Sequence, residues 1–301
     1  MLNKLLDKSI YFSFDKRGFK RHQKEYFKKE IYKFKPQENV LITGGTSGIG
    51  QSVAEQLKQF DLNCWVTGRN REKGEAYTSK DDKLHFVPFD LAEWSSFPSA
   101  ILDMPKFDYI VLNAGGMPDR FSTNDSGIEI QAASQLFGHF YLIQLLKRKR
   151  LLKDKARIVW VTSGGMYLKS FNLDQFFLGS RYDKVEAYAN VKRAMVEFLP
   201  KCAEEFAEFN ITAMHPGWVN TPGLSGALGK FSDFVGPNLR SAEEGSDTIV
   251  WLLGRVKEPE SGKLYFDRKI ADKNIWFFNK SHRADPLVIK QQLSKFQPHF
   301  L

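Results

Sequence analysis

Tyr188 and Lys192 lie four residues apart in the segment EAYANVKR, a spacing that places both side chains on one face of a helix. A tyrosine has a pKa of about 10 and is a poor base near neutral pH, but a nearby ammonium group favours the phenolate and lowers that pKa. The pair therefore predicts proton transfer by Tyr188, with Lys192 tuning it. Two solvated helix residues would show the same spacing, so the interpretation depends on the rest of the chain.

A glycine-rich segment, TGGTSGIG at residues 43–50, provides a second candidate site. It directly follows an expected strand and begins an expected helix, and Gly44, Gly48 and Gly50 would let the backbone turn tightly beside a phosphate. The amino end of the helix would add free N–H groups and a partial positive charge. At the first strand of an alternating domain, the segment favours dinucleotide binding over a turn without a ligand.

The end of the second expected strand indicates which dinucleotide is bound. In a protein that binds NAD(H), an acidic residue there holds the ribose 2′-hydroxyl group. Here the sequence is VTGRNREK, with Gly68 in the place of the acid and Arg69 after it. Arginine matches a 2′-phosphate in charge and shape. We therefore expect NADP(H) to be favoured over NAD(H), with a solvated arginine as the alternative.

Short apolar strands that alternate with helices must position these residues. This pattern is typical of a parallel sheet covered by helices on both faces. We expect an α/β, doubly wound Rossmann fold with a seven-stranded, mostly parallel sheet and a helical N-terminal extension. The expected units are 1–36, 37–275 and a tail at 276–301, and the longest helices should cover about 127–150 and 184–208. The strands are expected at NVLITGG, NCWVTG, LHFVPF, DYIVLN, ARIVWVTS, NITAMHP and GKLYFDR.

The composition argues against several classes of protein. The chain has 301 residues, enough for a sizeable core, and its two cysteines, Cys64 and Cys202, form no CxxC motif or Cys/His cluster. A disulfide framework and a metal site are therefore not expected. No apolar run is long enough to span a bilayer, and no cleavable signal is evident. A cytoplasmic protein is the expectation.

The basic charge is concentrated at the N-terminus. Residues 1–35 contain 11 Lys or Arg against 4 Asp or Glu, which is seven of the formal net charge of +9. Leu and Phe recur in this extension at helical spacing. Three interpretations are open: a helix docked on or solvated beside its own domain, a peripheral anchor on a membrane surface, or a nucleic-acid-binding segment. We favour the first, rank the membrane surface second and expect no nucleic-acid partner.

Several motifs in a fixed order resemble those of the short-chain dehydrogenase/reductase family. They span about residues 38–270: TGGTSGIG, FDLAEW after the third strand, NAGG after the fourth, VTSGGM after the fifth, YANVK, and HPGWVNT after the sixth. Any one could arise by chance, but the ordered set is specific. The resemblance implies an oxidoreductase that interconverts an alcohol and its carbonyl by hydride transfer with a nicotinamide cofactor.

The resemblance also assigns residues to the site. Ser163, Tyr188 and Lys192 match the family's catalytic residues, with Tyr188 as general acid/base and Ser163 hydrogen-bonding the developing oxyanion. Lys192 would also hold the nicotinamide ribose. The residues expected at the cofactor are Gly44, Thr46, Ser47, Gly48, Ile49, Gly50, Arg69, Asn70, Asp90, Leu91, Asn113, Ala114, Gly115, Tyr188, Lys192, Pro216, Gly217, Val219 and Thr221.

The chain departs from the family pattern at Gln135, which stands in QLFGHF where many members have a catalytic asparagine. We include Gln135 among the expected catalytic residues. A relay through its backbone carbonyl and a water would tolerate the exchange, whereas a short side chain needed to shape the helix would not. Leu112 replaces another family asparagine, with a small expected effect. Neither His139 nor His215 is assigned a catalytic role.

The substrate is indicated only by apolar segments. Residues 221–240 mix Gly and Pro with Leu and Phe, as in a mobile apolar lid, and residues 170–179 could form a second wall. Together they favour a small apolar alcohol or carbonyl, although core packing would explain the same residues. The alternative function is a catalytically weak dinucleotide sensor or scaffold. The oligomeric state is open, a homo-oligomer included.

Overall fold

A single twisted sheet organises the chain. The computed structural model describes residues 10–26, 32–177, 179, 182–221, 236–274 and 285–301. The strands in these ranges are β1 (Asn39–Ile42), β2 (Asn63–Gly68), β3 (Leu84–Pro88), β4 (Phe107–Leu112), β5 (Leu152–Val161), β6 (Asn210–Met214), β7 (Leu264–Phe266) and β8 (Lys269–Ile270). Their order across the sheet is β3-β2-β1-β4-β5-β6-β7-β8. All neighbouring pairs are parallel except β7 and β8. This is the predicted doubly wound order.

The described part of the sheet has eight strands where the sequence predicts seven, and the difference is β8. This strand has two residues and pairs antiparallel with β7. The tight turn between them puts Asp267 and Arg268 at φ 44° and 64°. A two-residue edge strand has no apolar alternation of its own, so no periodic pattern in the sequence reveals it.

Helices connect the strands and flank the sheet. Ala133–Gly138 forms a π-helical turn between two of them. The predicted helix over 127–150 is therefore divided, and the one over 184–208 ends at Glu205. The helices are α1 (Ile10–Ser13), α2 (Lys16–Tyr26), α3 (Gly48–Lys58), α4 (Arg71–Thr78), α5 (Phe97–Ala100), α6 (Ile130–Ala132), α7 (His139–Arg148), α8 (Lys184–Glu205), α9 (Ala242–Gly254) and α10 (Pro286–Lys295).

Both faces of the sheet are buried, as the fold class requires. Along β1, Val40 and Ile42 belong to the apolar cluster that includes α3 and α9. Leu41, between them, belongs to the larger cluster on the other face, with α7 and α8. This alternation follows from the two-residue period of a strand. The two helical layers therefore hold the strand ends in fixed positions.

Both ends of the described chain pack on this domain. Residues 286–295, in the region expected as a tail, form α10, which buries Ile289 and Leu293 and accepts a hydrogen bond at Leu293 O from the Tyr141 hydroxyl (2.7 Å). At the other end, α1 and α2 dock on the domain through the buried Phe14 and Phe19. The rest of the N-terminal extension, 1–9 and 27–31, lies outside the described residues. Among the described helices, none is long and apolar enough to cross a membrane.

Candidate active site

A cavity of about 1350 Å³ opens at the carboxyl ends of the parallel strands. Its walls come from the segments that follow β1, β2, β3, β4, β5 and β6, and from the first turns of α8. Carboxyl ends of parallel strands meet at one edge of a sheet, and open α/β sheets bind their ligands there. Motifs far apart in the sequence are thereby brought to one place.

Nearly all of the predicted site residues line this cavity. The exception is Gly50. The lining residues that the sequence predicts are Gly44, Thr46, Ser47, Gly48, Ile49, Arg69, Asn70, Asp90, Leu91, Asn113, Ala114, Gly115, Gln135, Ser163, Tyr188, Lys192, Pro216, Gly217, Val219 and Thr221.

Gly50 packs behind the glycine loop and does not line the cavity. It is buried, and a Cβ there would lie 2.5 Å from Gly44 O and 2.6 Å from Asn113 Nδ2. Gly44 is needed for its conformation as well, because its φ of 65° is in the left-handed region. These two glycines let the loop fold back against the Asn113 segment.

The loop leaves the amino end of α3 free for an anion. Ser47 is the N-cap residue, yet its side chain accepts no hydrogen bond from the helix. The first N–H groups of α3 therefore have no side-chain cap, and Ser47, Gly48 and Ile49 line the cavity. Backbone donors and the helix dipole at this position suit a pyrophosphate.

Thr43, which the sequence does not predict as a site residue, connects the glycine loop to the Asn113 segment. Its hydroxyl oxygen accepts from the backbone N–H of Asn113 (2.9 Å) and Ala114 (3.0 Å). The Asn113 side chain in turn donates to the carbonyls of Thr43 (3.1 Å) and Gly44 (3.2 Å). A threonine that directly follows the first strand of a glycine-loop domain was the available signal. These bonds fix the glycine loop to the end of β4.

His139 extends this network to the π-helical turn. The Thr43 oxygen has both lone pairs occupied, so its proton goes to His139 Nε2 at 2.9 Å in preference to Val111 O at 3.3 Å. Burial lowers the pKa of His139 to about 3, so the ring is neutral and carries its proton on Nδ1. Nδ1 then donates to Gln135 O at 2.9 Å. Trp160 Nε1 lies 3.2 Å from the same nitrogen.

Gln135 sits inside the π-helical turn and is buried. Its Nε2 donates to Gly116 O at 2.9 Å. A Cβ placed on Gly115 would lie 3.0 Å from Gln135 Oε1 and 3.7 Å from Lys192 Nζ, so these two groups flank Gly115. The irregular helix therefore forms with glutamine, and a short asparagine side chain is not needed for it.

Ser163, Tyr188 and Lys192 come together in the wall of the cavity. Ser163 caps the turn Gly164–Tyr167, accepting from Gly165 N at 3.1 Å. Tyr188 and Lys192 share a face of α8, with Lys192 Nζ 5.4 Å from the centre of the Tyr188 ring. Nζ donates to Val161 O, the last residue of β5, at 3.1 Å. The turn after β5 positions Ser163, α8 carries Tyr188 and Lys192, and the end of β5 holds Lys192 Nζ.

The electrostatics of the tyrosine differ from the prediction. Burial raises the pKa of Tyr188, while a hydrogen bond with Ser163 works in the opposite direction. Burial also lowers the pKa of Lys192 to about 7. Its ammonium is only partly populated at neutral pH, and it faces the ring of Tyr188. In the protein alone, desolvation therefore outweighs any lowering of the tyrosine pKa by the lysine.

Two cations line the cavity at the end of β2. Arg69 is exposed and has no ion pair among the described residues, and Lys73 is exposed one turn into α4. Asn70 caps α4 by accepting from Lys73 N at 2.8 Å. Lys73 was missed by the sequence reasoning, although its position four residues after Arg69 is visible in VTGRNREK. The two positive charges make this part of the cavity suitable for an anionic group.

The apolar walls differ in part from the expectation. Met117, Pro118, Leu168 and Trp218 line the cavity and were not assigned. In contrast, the described residues of 170–179 do not line it, because they pack elsewhere: Phe176 is buried and Phe177 lies against Phe296 (ring centres 5.7 Å apart). Most of the expected lid, residues 222–235, lies outside the described residues.

The family assignment follows from a comparison with known families. The family model described as short chain dehydrogenase matches residues 38–228, well over half of the chain. This chain belongs to the short-chain dehydrogenase family. The coarse prediction of an oxidoreductase with this fold is thereby confirmed.

Known members and one solved structure are similar to this chain. Dehydrogenase/reductase SDR family member 12 of Bos taurus is 26% identical over 276 residues, which cover 87% of this chain and 86% of that protein. Retinol dehydrogenase 13 of Homo sapiens is 30% identical and covers 83% of this chain and 78% of its own. The RhlG/NADP active-site complex of Pseudomonas aeruginosa superposes with a TM-score of 0.61 at 20% identity, covering 76% of this chain and 94% of its own.

Members of the short-chain dehydrogenase family use NAD(P) cofactors, and the residues of this chain fit such a cofactor. The amino end of α3 is uncapped beside the left-handed Gly44, and Asp90 lines the cavity after β3. The described residues contain no group of three or more His, Cys, Asp or Glu that could hold a metal ion.

Proposed function

We propose that this short-chain dehydrogenase is an NADP(H)-dependent oxidoreductase that interconverts an apolar alcohol and its carbonyl. The observation that carries the proposal is that Ser163, Tyr188 and Lys192 line the same cavity as the glycine loop and Arg69. A scaffold that only binds a dinucleotide would not need Ser163, Tyr188 and Lys192 together. The bound nicotinamide would supply or accept the hydride.

Tyr188, Ser163 and Lys192 each have a separate role in this reaction. In carbonyl reduction, the Tyr188 hydroxyl donates its proton to the substrate oxygen, and in alcohol oxidation the phenolate takes it back. The raised pKa of Tyr188 keeps the phenol protonated at neutral pH, which suits the proton-donor role. Ser163 hydrogen-bonds the oxygen on which charge develops. Lys192, charged on part of the molecules near neutral pH, would hold the cofactor ribose.

The preference for NADP(H) rests on Arg69 and Lys73. Both line the cavity beside the end of β2, and both are positively charged. No acidic side chain precedes Arg69, because Gly68 occupies that place. A guanidinium and an ammonium would each make charge-assisted hydrogen bonds to a 2′-phosphate. The structural similarity to a protein solved with NADP agrees with this preference.

The substrate class rests on the apolar part of the cavity wall. Met117, Pro118, Leu168 and Trp218 contribute apolar surface to it. Leu168 lines the cavity and is 62% exposed, so its side chain is open to a ligand there. The similarity to a retinol dehydrogenase points to the same class, a hydrophobic alcohol and its aldehyde or ketone.

The test is an activity screen with NADPH and NADH side by side on apolar aldehydes, ketones and alcohols. We expect turnover with NADPH and a higher KM with NADH. Arg69→Ala should raise the KM for NADPH about tenfold with little effect on NADH, as expected for one charge-assisted hydrogen bond. Arg71→Ala is the matched control, because Arg71 pairs with Glu75 and does not line the cavity. Tight NADPH binding without turnover on the whole panel would favour the sensor.

A further inference from the structure

Phe14, in the N-terminal extension, packs behind two loops of the site. Its ring is 3% exposed and contacts the rings of His215 (4.6 Å between centres), Phe266 (5.1 Å) and Trp218 (6.0 Å). It also fills the space at Gly164, where a Cβ would come within 2.7 Å of the ring. Gly164 follows Ser163, and Trp218 follows Gly217. One aromatic side chain therefore touches both loops.

The backbone of the same residue is bonded to the second loop. Trp218 N donates to Phe14 O at 2.8 Å. Gly217 lies so close that a Cβ on it would be 2.4 Å from Phe14 O, and its φ is 74°. Only glycine tolerates both conditions. The segment Pro216–Thr221, which lines the cavity, is thus shaped in part by the extension.

Arg240 joins the extension, this loop and the end of the sheet. It is 1% exposed and forms a bidentate pair with Asp267 (2.6 and 2.9 Å) in the turn between β7 and β8. The same guanidinium donates to Ser13 O (3.1 Å) and Pro216 O (3.3 Å). Its backbone N–H donates to Trp218 O at 2.8 Å. A buried guanidinium whose N–H groups are all hydrogen-bonded holds its partners in fixed positions. Arg240 therefore fixes the extension, the Pro216 loop and the β7–β8 turn relative to one another.

The second helix of the extension completes this buried cluster. His22 Nδ1 lies 2.6 Å from Asp267 Oδ2, and Phe19 lies 5.2 Å from the Arg240 guanidinium. Asp15, fully buried, caps α2 by accepting from the N–H groups of Arg17 (2.9 Å) and Gly18 (3.0 Å). The extension is therefore docked by these hydrogen bonds and ion pairs as well as by apolar contact.

We propose that residues 10–26 form an intramolecular clamp, with Phe14 and Arg240 as positioning residues for the loops that carry Ser163 and Pro216–Thr221. The proposal rests on the function proposed above. A reaction slows strongly when a catalytic group shifts by about an ångström. Looser packing behind these loops should therefore weaken cofactor binding and slow turnover before it unfolds the domain. The basic extension then has a role inside its own chain, without a nucleic acid or a membrane.

The first test measures hydrogen exchange in the full-length chain without cofactor. Phe14→Leu should speed exchange about tenfold or more in residues 163–168 and 214–221, because local opening there is made easier. Phe206→Leu is the matched control: Phe206 is also buried, packs on Phe140 and does not line the cavity. It should leave both segments unchanged. Equal exchange of these segments in the two variants would overturn the clamp.

The second test is kinetic. Phe14→Leu should raise the KM for NADPH and lower kcat about tenfold, whereas Phe206→Leu stays within about twofold even if both lower the melting temperature equally. If Phe14→Leu fails to fold, the wild-type chain still decides: NADPH should slow exchange within residues 13–22, since coupling between sites is reciprocal. No change there would contradict the clamp. If the wild type neither binds NADPH nor turns over substrate, the proposed function fails, while the cofactor-free exchange comparison still tests the clamp.

Discussion

At the scale of single residues, burial decides the protonation of the site. Lys192 is buried and Tyr188 is half-buried in the cavity wall, and desolvation disfavours the charged form of each. The result is a neutral phenol beside a lysine that titrates near neutrality. Spacing alone could predict that the two side chains share a helix face. It could not predict that desolvation would dominate, because that depends on β5 and the glycine-rich segments packed around them.

The buried Lys192 should make the free energy of unfolding depend on pH. Its pKa is about 7 in the folded protein against 10.5 for an ordinary lysine, so the unfolded chain binds more protons between these pH values. The free energy of unfolding should therefore rise with pH across this window. We expect Lys192→Met to stabilise the protein by on the order of 3 kcal/mol at pH 6, with the gain shrinking toward pH 10.5. Denaturant unfolding at several pH values measures it.

Lys149→Met is the control for this prediction, because Lys149 is exposed at the end of α7. Its effect on the free energy of unfolding should stay within about 0.5 kcal/mol. A stabilisation by Lys192→Met that does not change with pH would show that its ammonium is not penalised by burial.

At the scale of elements, the π-helical turn and the glycine loop are held by one chain of hydrogen bonds. Thr43, His139 and Gln135 O connect them without a charged group. His139 has no predicted catalytic role, and it is fully buried in its helix. That it also bridges two motifs more than ninety residues apart in the chain follows only from the three-dimensional structure.

Replacing this bridge should affect both stability and turnover. His139→Leu removes the acceptor for the Thr43 hydroxyl and the donor to Gln135 O. We expect a loss of about 1–3 kcal/mol in the free energy of unfolding and a drop of about tenfold in kcat. Denaturant unfolding and steady-state kinetics with NADPH measure the two effects.

His85→Leu is the matched histidine variant. His85 stacks on Trp65 (4.5 Å between ring centres) and does not line the cavity. Its replacement should cost about 1 kcal/mol or less and leave kcat unchanged. If both variants lower kcat to the same extent, the bridge through His139 does not position the site.

At the scale of the whole molecule, both ends of the described chain are docked on the core. α10 packs Ile289 and Leu293 against the cluster that includes α7 and α8. Leu293→Ala should cost about 2–5 kcal/mol because it leaves a cavity in this cluster. Leu287→Ala, at a leucine that is 58% exposed on the same helix, should stay within about 0.5 kcal/mol. Thermal or denaturant unfolding of the two variants compares them, and equal losses would show that α10 is not held by this buried face.

The parts of the molecule that the sequence could predict are those with local signals. The glycine loop, the Asn113 segment and Ser163 each follow an apolar strand, so the parallel order of strands was enough to place them at one edge. The contact between His22 and Asp267 spans 245 residues and has no local pattern. For the same reason, no local pattern marks Trp218 as a residue of the cavity.

The central claim is that Tyr188 transfers a proton in an NADP(H)-dependent reaction. The most direct measurement is the turnover of an active apolar carbonyl with NADPH by the wild type and by Tyr188→Phe, with NADPH binding measured for both by fluorescence. We predict that the variant loses turnover by a factor of about 10³ or more, while its Kd for NADPH stays within a few-fold, because only the proton-donating hydroxyl is removed. Undiminished turnover in Tyr188→Phe would contradict the account.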